Sequence, residues 1–174
     1  ILAGDASNRK YFRVQNVEGK PDSVLMDAPL ERGENVEPFI KITGFLREHN
    51  LSAPIIFAHD IDNGFLLLED LGDDLFSEIC AKEPEREEGL YIAAANTLFA
   101  IHKAEPPKLK TYSPDLMANL AAEAADWYAL GREGGLEGEK CNALYKTMHA
   151  ALEPYADEFN VAILRDYHAQ NLLW

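Results

Sequence analysis

The stretch Ile163-Leu164-Arg165-Asp166-Tyr167-His168-Ala169-Gln170-Asn171-Leu172-Leu173-Trp174 governs how the rest of the chain is read. Asp166 and Asn171 stand five residues apart, with one apolar run before them and another after. A carboxylate so placed can orient a hydroxyl and take its proton, and a carboxamide oxygen can hold a magnesium ion on nucleotide phosphates. Phosphoryl transfer needs mainly positioning and charge neutralisation, which a rigid loop between two strands would supply. Asp166 is therefore the candidate base and Asn171 the candidate metal ligand.

Upstream, the pattern is strand-rich and then helical. Lys10 to Val17 and Ser23 to Asp27 read as strands, the second broken by Pro29. Val36, Phe39, Ile40, Thr43 and Leu46 recur at helical spacing, with Glu34 and Glu37 expected in the first turn and Asn50 and Pro54 closing the helix. Ile55 to His59 and Phe65 to Glu69 read as two more strands joined by Asp62-Asn63-Gly64. At least two of Leu66, Leu67 and Leu68 are expected in the core.

After Gly72 the periodicity turns helical. Leu90, Ala94, Leu98 and Ile101 share a stripe, as do Cys141, Leu144, Tyr145, Met148 and Leu152. Ser113-Pro114 reads as an N-cap and first helical position, opening a helix whose apolar side includes Leu116, Leu120, Ala124 and Trp127. Val161 to Leu164 reads as a buried strand leading into the Asp166 loop. The fold class is α+β in two lobes: residues 1–71 as an antiparallel-sheet lobe ending in a hinge, and 72–174 as a helical lobe.

Composition narrows the function. With 16 Lys and Arg against 30 Asp and Glu, a net charge of −14 makes nucleic acid a poor partner. It suits a neutral or cationic acceptor weakly better than an anionic one. No apolar stretch reaches the roughly 18 residues a membrane span needs, and no basic, apolar leader is visible. Two cysteines, Cys80 and Cys141, make no disulfide framework, so a cytoplasmic location is expected. The five histidines show no zinc spacing, and neither Cys-x-x-Cys nor Gly-x-Ser-x-Gly occurs.

With His168 added, the loop reads Asp-x-His-x-x-Asn and resembles that of aminoglycoside and choline kinase-like phosphotransferases. Ala3-Gly4-Asp5-Ala6-Ser7-Asn8-Arg9-Lys10-Tyr11-Phe12-Arg13-Val14 resembles the phosphate-covering hairpin of those kinases, which makes Ser7, with Asn8, the candidate phosphate contacts. Gly64-Phe65-Leu66-Leu67-Leu68-Glu69-Asp70-Leu71-Gly72 resembles the hinge on which adenine lies, beside backbone groups of Glu69, Asp70 and Leu71. Leu2 to Ser7, Leu25 to Pro29, Leu67 to Gly72, Asp126-Trp127-Tyr128 and Arg165 to Trp174 look most like the bacterial anomeric N-acetylmuramate and N-acetylglucosamine kinases of cell-wall recycling.

That resemblance implies a protein kinase-like fold and ATP- and magnesium-dependent phosphorylation of an amino sugar, with Asp166 as base. The acceptor would lie between Asp166 and the helical lobe; Trp127 and Tyr128 are near it or, more in keeping with their type, in the core. Three positions depart from the pattern. Val24-Leu25-Met26-Asp27 lacks the implied phosphate-binding lysine, leaving Lys10 and Arg13 as candidates, and Leu164 stands where such kinases commonly have a loop-bracing histidine. Glu37 is either the partner of a phosphate-binding lysine or a solvated first-turn residue. The implied second magnesium ligand and most acceptor-binding helices would follow Trp174, so a piece of a longer protein is expected. An aminoglycoside phosphotransferase and a catalytically weak kinase-like binding protein are the alternatives.

Overall fold

The computed structural model describes residues 2, 8–15, 18–133, 138–158 and 161–174, without the side chains at 124, 126 and 129–133. Four strands form one antiparallel sheet: β1 (Lys10–Val14), β2 (Ser23–Asp27), β3 (Ile56–Asp60) and β4 (Phe65–Glu69), in the order β1-β2-β4-β3. The helices are α1 (Glu37–Glu48), α2 (Phe76–Lys82), α3 (Glu87–Lys103), α4 (Pro114–Glu133) and α5 (Gly138–Leu152). The architecture is α+β, as the residue patterning requires. Two compact units result, one of residues 1–107 with 163–174 and one of residues 108–162.

Strand alternation builds the first core. Side chains two apart share a face, so Val24, Met26, Leu66 and Leu68 point one way and are buried, together with Ala28 and Val36. Phe39 and Ile40 of α1, Tyr11 of β1 and Ile56 of β3 cover this cluster. Leu67 faces the other side and is only half-buried, so two of the three consecutive leucines are core.

The helix α1 starts later than its acidic residues suggest. Glu37 is in its first turn, and Asn35 Oδ1 accepts the Glu37 N–H at 2.8 Å. Glu34 lies before the helix and instead accepts from Arg9 Nε at 2.9 Å. At the far end Asn50 takes φ 58°, while its N–H donates to Arg47 O at 3.0 Å and the Leu51 N–H to Leu46 O at 2.9 Å. These paired bonds satisfy carbonyls the helix leaves open and turn the chain out.

Between β3 and β4, Asp60 accepts from Asn63 N–H at 3.2 Å and Asn63 Nδ2 at 2.9 Å. Gly64 follows at φ 75°, and a Cβ there would collide with the Ala28 carbonyl. Glycine is required by both the conformation and the approach of that carbonyl, which lets Ala28 N–H reach Gly64 O at 2.9 Å.

In the second unit, Ser113 Oγ accepts from the Leu116 N–H at 3.2 Å, the cap its sequence predicts. The predicted apolar side of α4 is partly wrong: Ala118 is buried, whereas Leu120 is exposed and Trp127 and Tyr128 are 74% and 68% exposed. Cys141, Leu144, Tyr145, Met148 and Leu152 form the half-buried stripe of α5, which packs along α4. Tyr145 donates to Asp115 Oδ1 at 2.6 Å, and that bond, with burial, raises the phenol's pKa. The Val161 to Leu164 segment is no strand, and Val161 and Ile163 are exposed. It has no ladder partner among the described residues, and an apolar run alone does not make a strand.

Leu66→Ala is expected to lower unfolding free energy by about 2–5 kcal/mol, and Leu67→Ala by distinctly less, in denaturant titrations. Equal losses would contradict the assignment of the two faces. Gly64→Ala should cost at least about 1 kcal/mol, because strain adds to the collision.

Candidate functional site

The loop around Asp166 is anchored by residues interleaved with its polar ones. Tyr167, Ala169 and Leu172 pack against a second core of Phe76, Ile79, Leu90 and Ala94 from α2 and α3. Asp166, His168 and Asn171 are exposed between them. The Tyr167 hydroxyl donates to Ala94 O at 2.9 Å, and burial raises its pKa against a smaller opposing effect of Thr97. A short 3₁₀ turn, Ala169–Asn171, shapes the stretch, and Leu173 pairs with Leu75 in an isolated antiparallel bridge. On either side of that bridge Phe76 N–H donates to Leu172 O and Trp174 N–H to Asp74 O, both at 2.9 Å. Trp174 lies against Phe76 and under the Arg86 guanidinium.

Inside the loop, Asn171 Nδ2 donates to the Asp166 carbonyl at 3.0 Å. His168 Nδ1 faces Gln170 N–H at 3.3 Å, and its Nε2 faces Asn171 Nδ2 at 3.3 Å. A neutral imidazole accepts at only one nitrogen, so the ring makes one of these bonds at a time. The committed amide nitrogen leaves Asn171 Oδ1 for a hard cation. The described residues contain no group of three or more His, Cys, Asp or Glu suited to a metal. A carboxamide oxygen such as Asn171 Oδ1 is a hard donor of the kind magnesium takes.

The turn after β4 is organised by an arginine. Arg13 Nη1 and Nη2 donate to the two Asp73 oxygens at 2.8 Å each, and Nη2 also reaches Asp70 Oδ1 at 3.1 Å. Arg13 Nε approaches Asp70 Oδ2 at 2.6 Å as a charge contact without hydrogen-bond geometry. Asp70 Oδ1 accepts the Gly72 N–H at 3.0 Å as the chain turns at Gly72, φ 82°. Arg13 holds the Asp73 carboxyl below its ordinary value through these hydrogen bonds, and its own pKa is raised by the same pair. The sequence pattern gave no signal for this fork, since its members lie 57 and 60 residues apart.

The remaining candidates are placed as follows. Glu69 N–H donates to Ile55 O at 2.8 Å, and its carboxylate accepts the Ile55 N–H at 2.9 Å. Leu71 is exposed, and its backbone makes no hydrogen bond among the described residues. Asn8 N–H donates to Glu34 Oε1 at 2.9 Å, and its Nδ2 reaches Arg32 O at 3.4 Å. Ser7 lies outside the described residues. Glu37 accepts from Asn35 Nδ2 at 3.2 Å. No described helix is long and apolar enough to cross a membrane.

A four-stranded antiparallel sheet followed by helices, with an Asp and an Asn on an anchored loop, is the frame of a kinase-like phosphotransferase. The profile of the phosphotransferase enzyme family matches residues 1–174, and the chain belongs to that family. It is 33% identical over 174 residues to the N-acetylmuramate/N-acetylglucosamine kinase of Pseudomonas aeruginosa, covering 98% of this chain and 50% of that protein. Proteins of the same name are 31% identical in Caulobacter vibrioides, covering 57% of that protein, and 30% identical in Pseudomonas putida, covering 50%. The chain spans about half the length of these curated relatives.

The Asp73 value is lower folded than unfolded, so its pairing stabilises fully above the ordinary aspartate range and is lost as pH falls through the depressed value. Carboxyl NMR titration should show Asp73 ionised at lower pH than the wild-type protein's unpaired aspartates, and Arg13→Met should remove that difference. A wild-type Asp73 titrating with the unpaired aspartates would remove the fork. Tyr167→Phe should lower unfolding free energy by about 0.5–1.5 kcal/mol.

Proposed function

We propose that the protein carrying this chain transfers the terminal phosphoryl group of ATP to the anomeric hydroxyl of an amino sugar, N-acetylmuramate or N-acetylglucosamine. The single observation behind this reading is the loop, where Asp166 is exposed and its carbonyl is held by the Asn171 amide while apolar neighbours fix the backbone. The names of the relatives support the choice of sugar. The Asp166 carboxylate would accept a hydrogen bond from the sugar hydroxyl and take its proton as the oxygen attacks phosphorus. Asn171 Oδ1 would hold a magnesium ion, which when bound neutralises phosphate charge.

In this reading residues 1–71 form the nucleotide lobe, and residues 72–174 contribute the catalytic loop to the acceptor lobe. Adenine would pair with backbone groups at Glu69 to Leu71, of which those of Leu71 have no partner among the described residues. Ser7 and Asn8 would contact phosphates. In this reading the reaction would run in the cytoplasm, where ATP is at hand.

ADP release by the full-length protein should be seen with N-acetylmuramate or N-acetylglucosamine and magnesium, and not with kanamycin. Turnover with kanamycin alone would make it an antibiotic-modifying enzyme instead. Asp166→Ala should lower kcat about 10²–10⁴-fold; a loss below about tenfold would show that Asp166 is not the base.

A further inference from the structure

The four strands carry two lysine or arginine side chains, Lys10 and Arg13, both on β1. Three residues apart on a strand, they point to opposite faces. Arg13 is on the side of Tyr11, which covers the core, and its guanidinium is enclosed by Asp70 and Asp73. One cation between two carboxylates leaves a net negative charge, which repels a phosphate. Moving Arg13 toward an anion would also strand both carboxylates.

Lys10 is on the other face, and its ammonium makes no hydrogen bond or ion pair among the described residues. The register arranges that face in rows. Phe12, Leu25 and Leu67 lie side by side, and the next row is Lys10, Asp27 and Phe65. Two residues along a strand separate the rows by about 7 Å. In the opposite direction Glu69 marks the hinge end of β4. A path along this face from the hinge therefore crosses half-buried apolar side chains and then reaches an exposed cation. A nucleotide has the same polarity: a flat apolar base at one end and an anionic chain at the other.

The geometry points to Lys10 as the residue that binds the nucleotide's polyphosphate, with the base lying over the row of Phe12, Leu25 and Leu67. This rests on the nucleotide-dependent reading above. Asp27, directly opposite Lys10, cancels its charge in that row and so favours a polyphosphate that arrives with a magnesium ion over a bare one.

The test is calorimetric titration of the full-length protein with ATP plus magnesium and, separately, with adenosine. Lys10→Met should weaken ATP binding about 10–100-fold, the loss of one charge-assisted contact, and leave adenosine within about twofold. Lys10→Arg should restore most of the ATP affinity. If wild type binds ATP and Lys10→Met binds it equally well, or loses ATP and adenosine alike, the Lys10 assignment falls while the nucleotide reading stands. If wild type binds neither ligand, both fall. Thermal denaturation of Lys10→Met should match wild type, since the side chain is exposed and holds nothing in place.

Discussion

The packing of Tyr167, Ala169 and Leu172 onto Phe76, Ile79, Leu90 and Ala94 is the constraint on which the candidate site depends. A loop that must present a carboxylate and a carboxamide to solvent has few groups left to hold it still. This one spends alternate positions on burial, so Asp166, His168 and Asn171 face outward because their neighbours face in. The Tyr167 hydroxyl closes onto a helix carbonyl that already belongs to α3, and Asn171 closes the loop on itself. Apolar burial supplies most of the free energy here, and the hydrogen bonds mainly choose one geometry.

The turn after β4 couples to the same frame through one short run of chain. Asp70 and Asp73 are bound to Arg13 of β1, and three residues later Phe76 begins α2, part of the core under the loop. Asp74, Leu75 and Phe76 also pair with Leu172, Leu173 and Trp174. Residues 70–76 thus touch the sheet edge with acidic side chains and the loop's exit with backbone. The Asp70 arm of the fork is partly buried, with 9% of the Asp70 side chain and 22% of Arg13 exposed, whereas the Asp73 arm is an exposed ion pair of modest worth. Displacing either carboxylate would disturb both ends of that run.

Much of this was legible in the sequence where local physics decides. The strands Ser23 to Asp27 and Phe65 to Glu69, the Ser113 cap and the stop at Asn50 follow from alternation, capping and a tolerated positive φ. The failures come where a signal depends on distant partners. Val161 to Leu164 has a strand's composition, but a strand exists only with a neighbour. Trp127 has helical spacing on α4, yet Ala118 is buried there instead, because the packed side of a helix is set by what it meets. Glu34 and Glu37 look interchangeable near a helix start, while the fold gives one to Arg9 and the other to Asn35.

The departures from the family pattern acquire a physical account in the same way. A phosphate-binding cation is defined by the volume its charge reaches, not by the strand that bears it. β1 and β2 run side by side with Lys10 opposite Asp27, so a cation missing from one strand can be supplied from the next without moving the backbone. The two β1 cations then separate by environment alone: Arg13 neutralises the carboxylates of Asp70 and Asp73, and Lys10 remains open to solvent. Leu164 likewise stands half-buried where a histidine brace was expected, and the bracing bonds come from Tyr167 and Asn171 inside the loop. A substitution at an expected position therefore weighs against the chemistry only when no neighbouring side chain reaches the same place with the same charge or hydrogen bond.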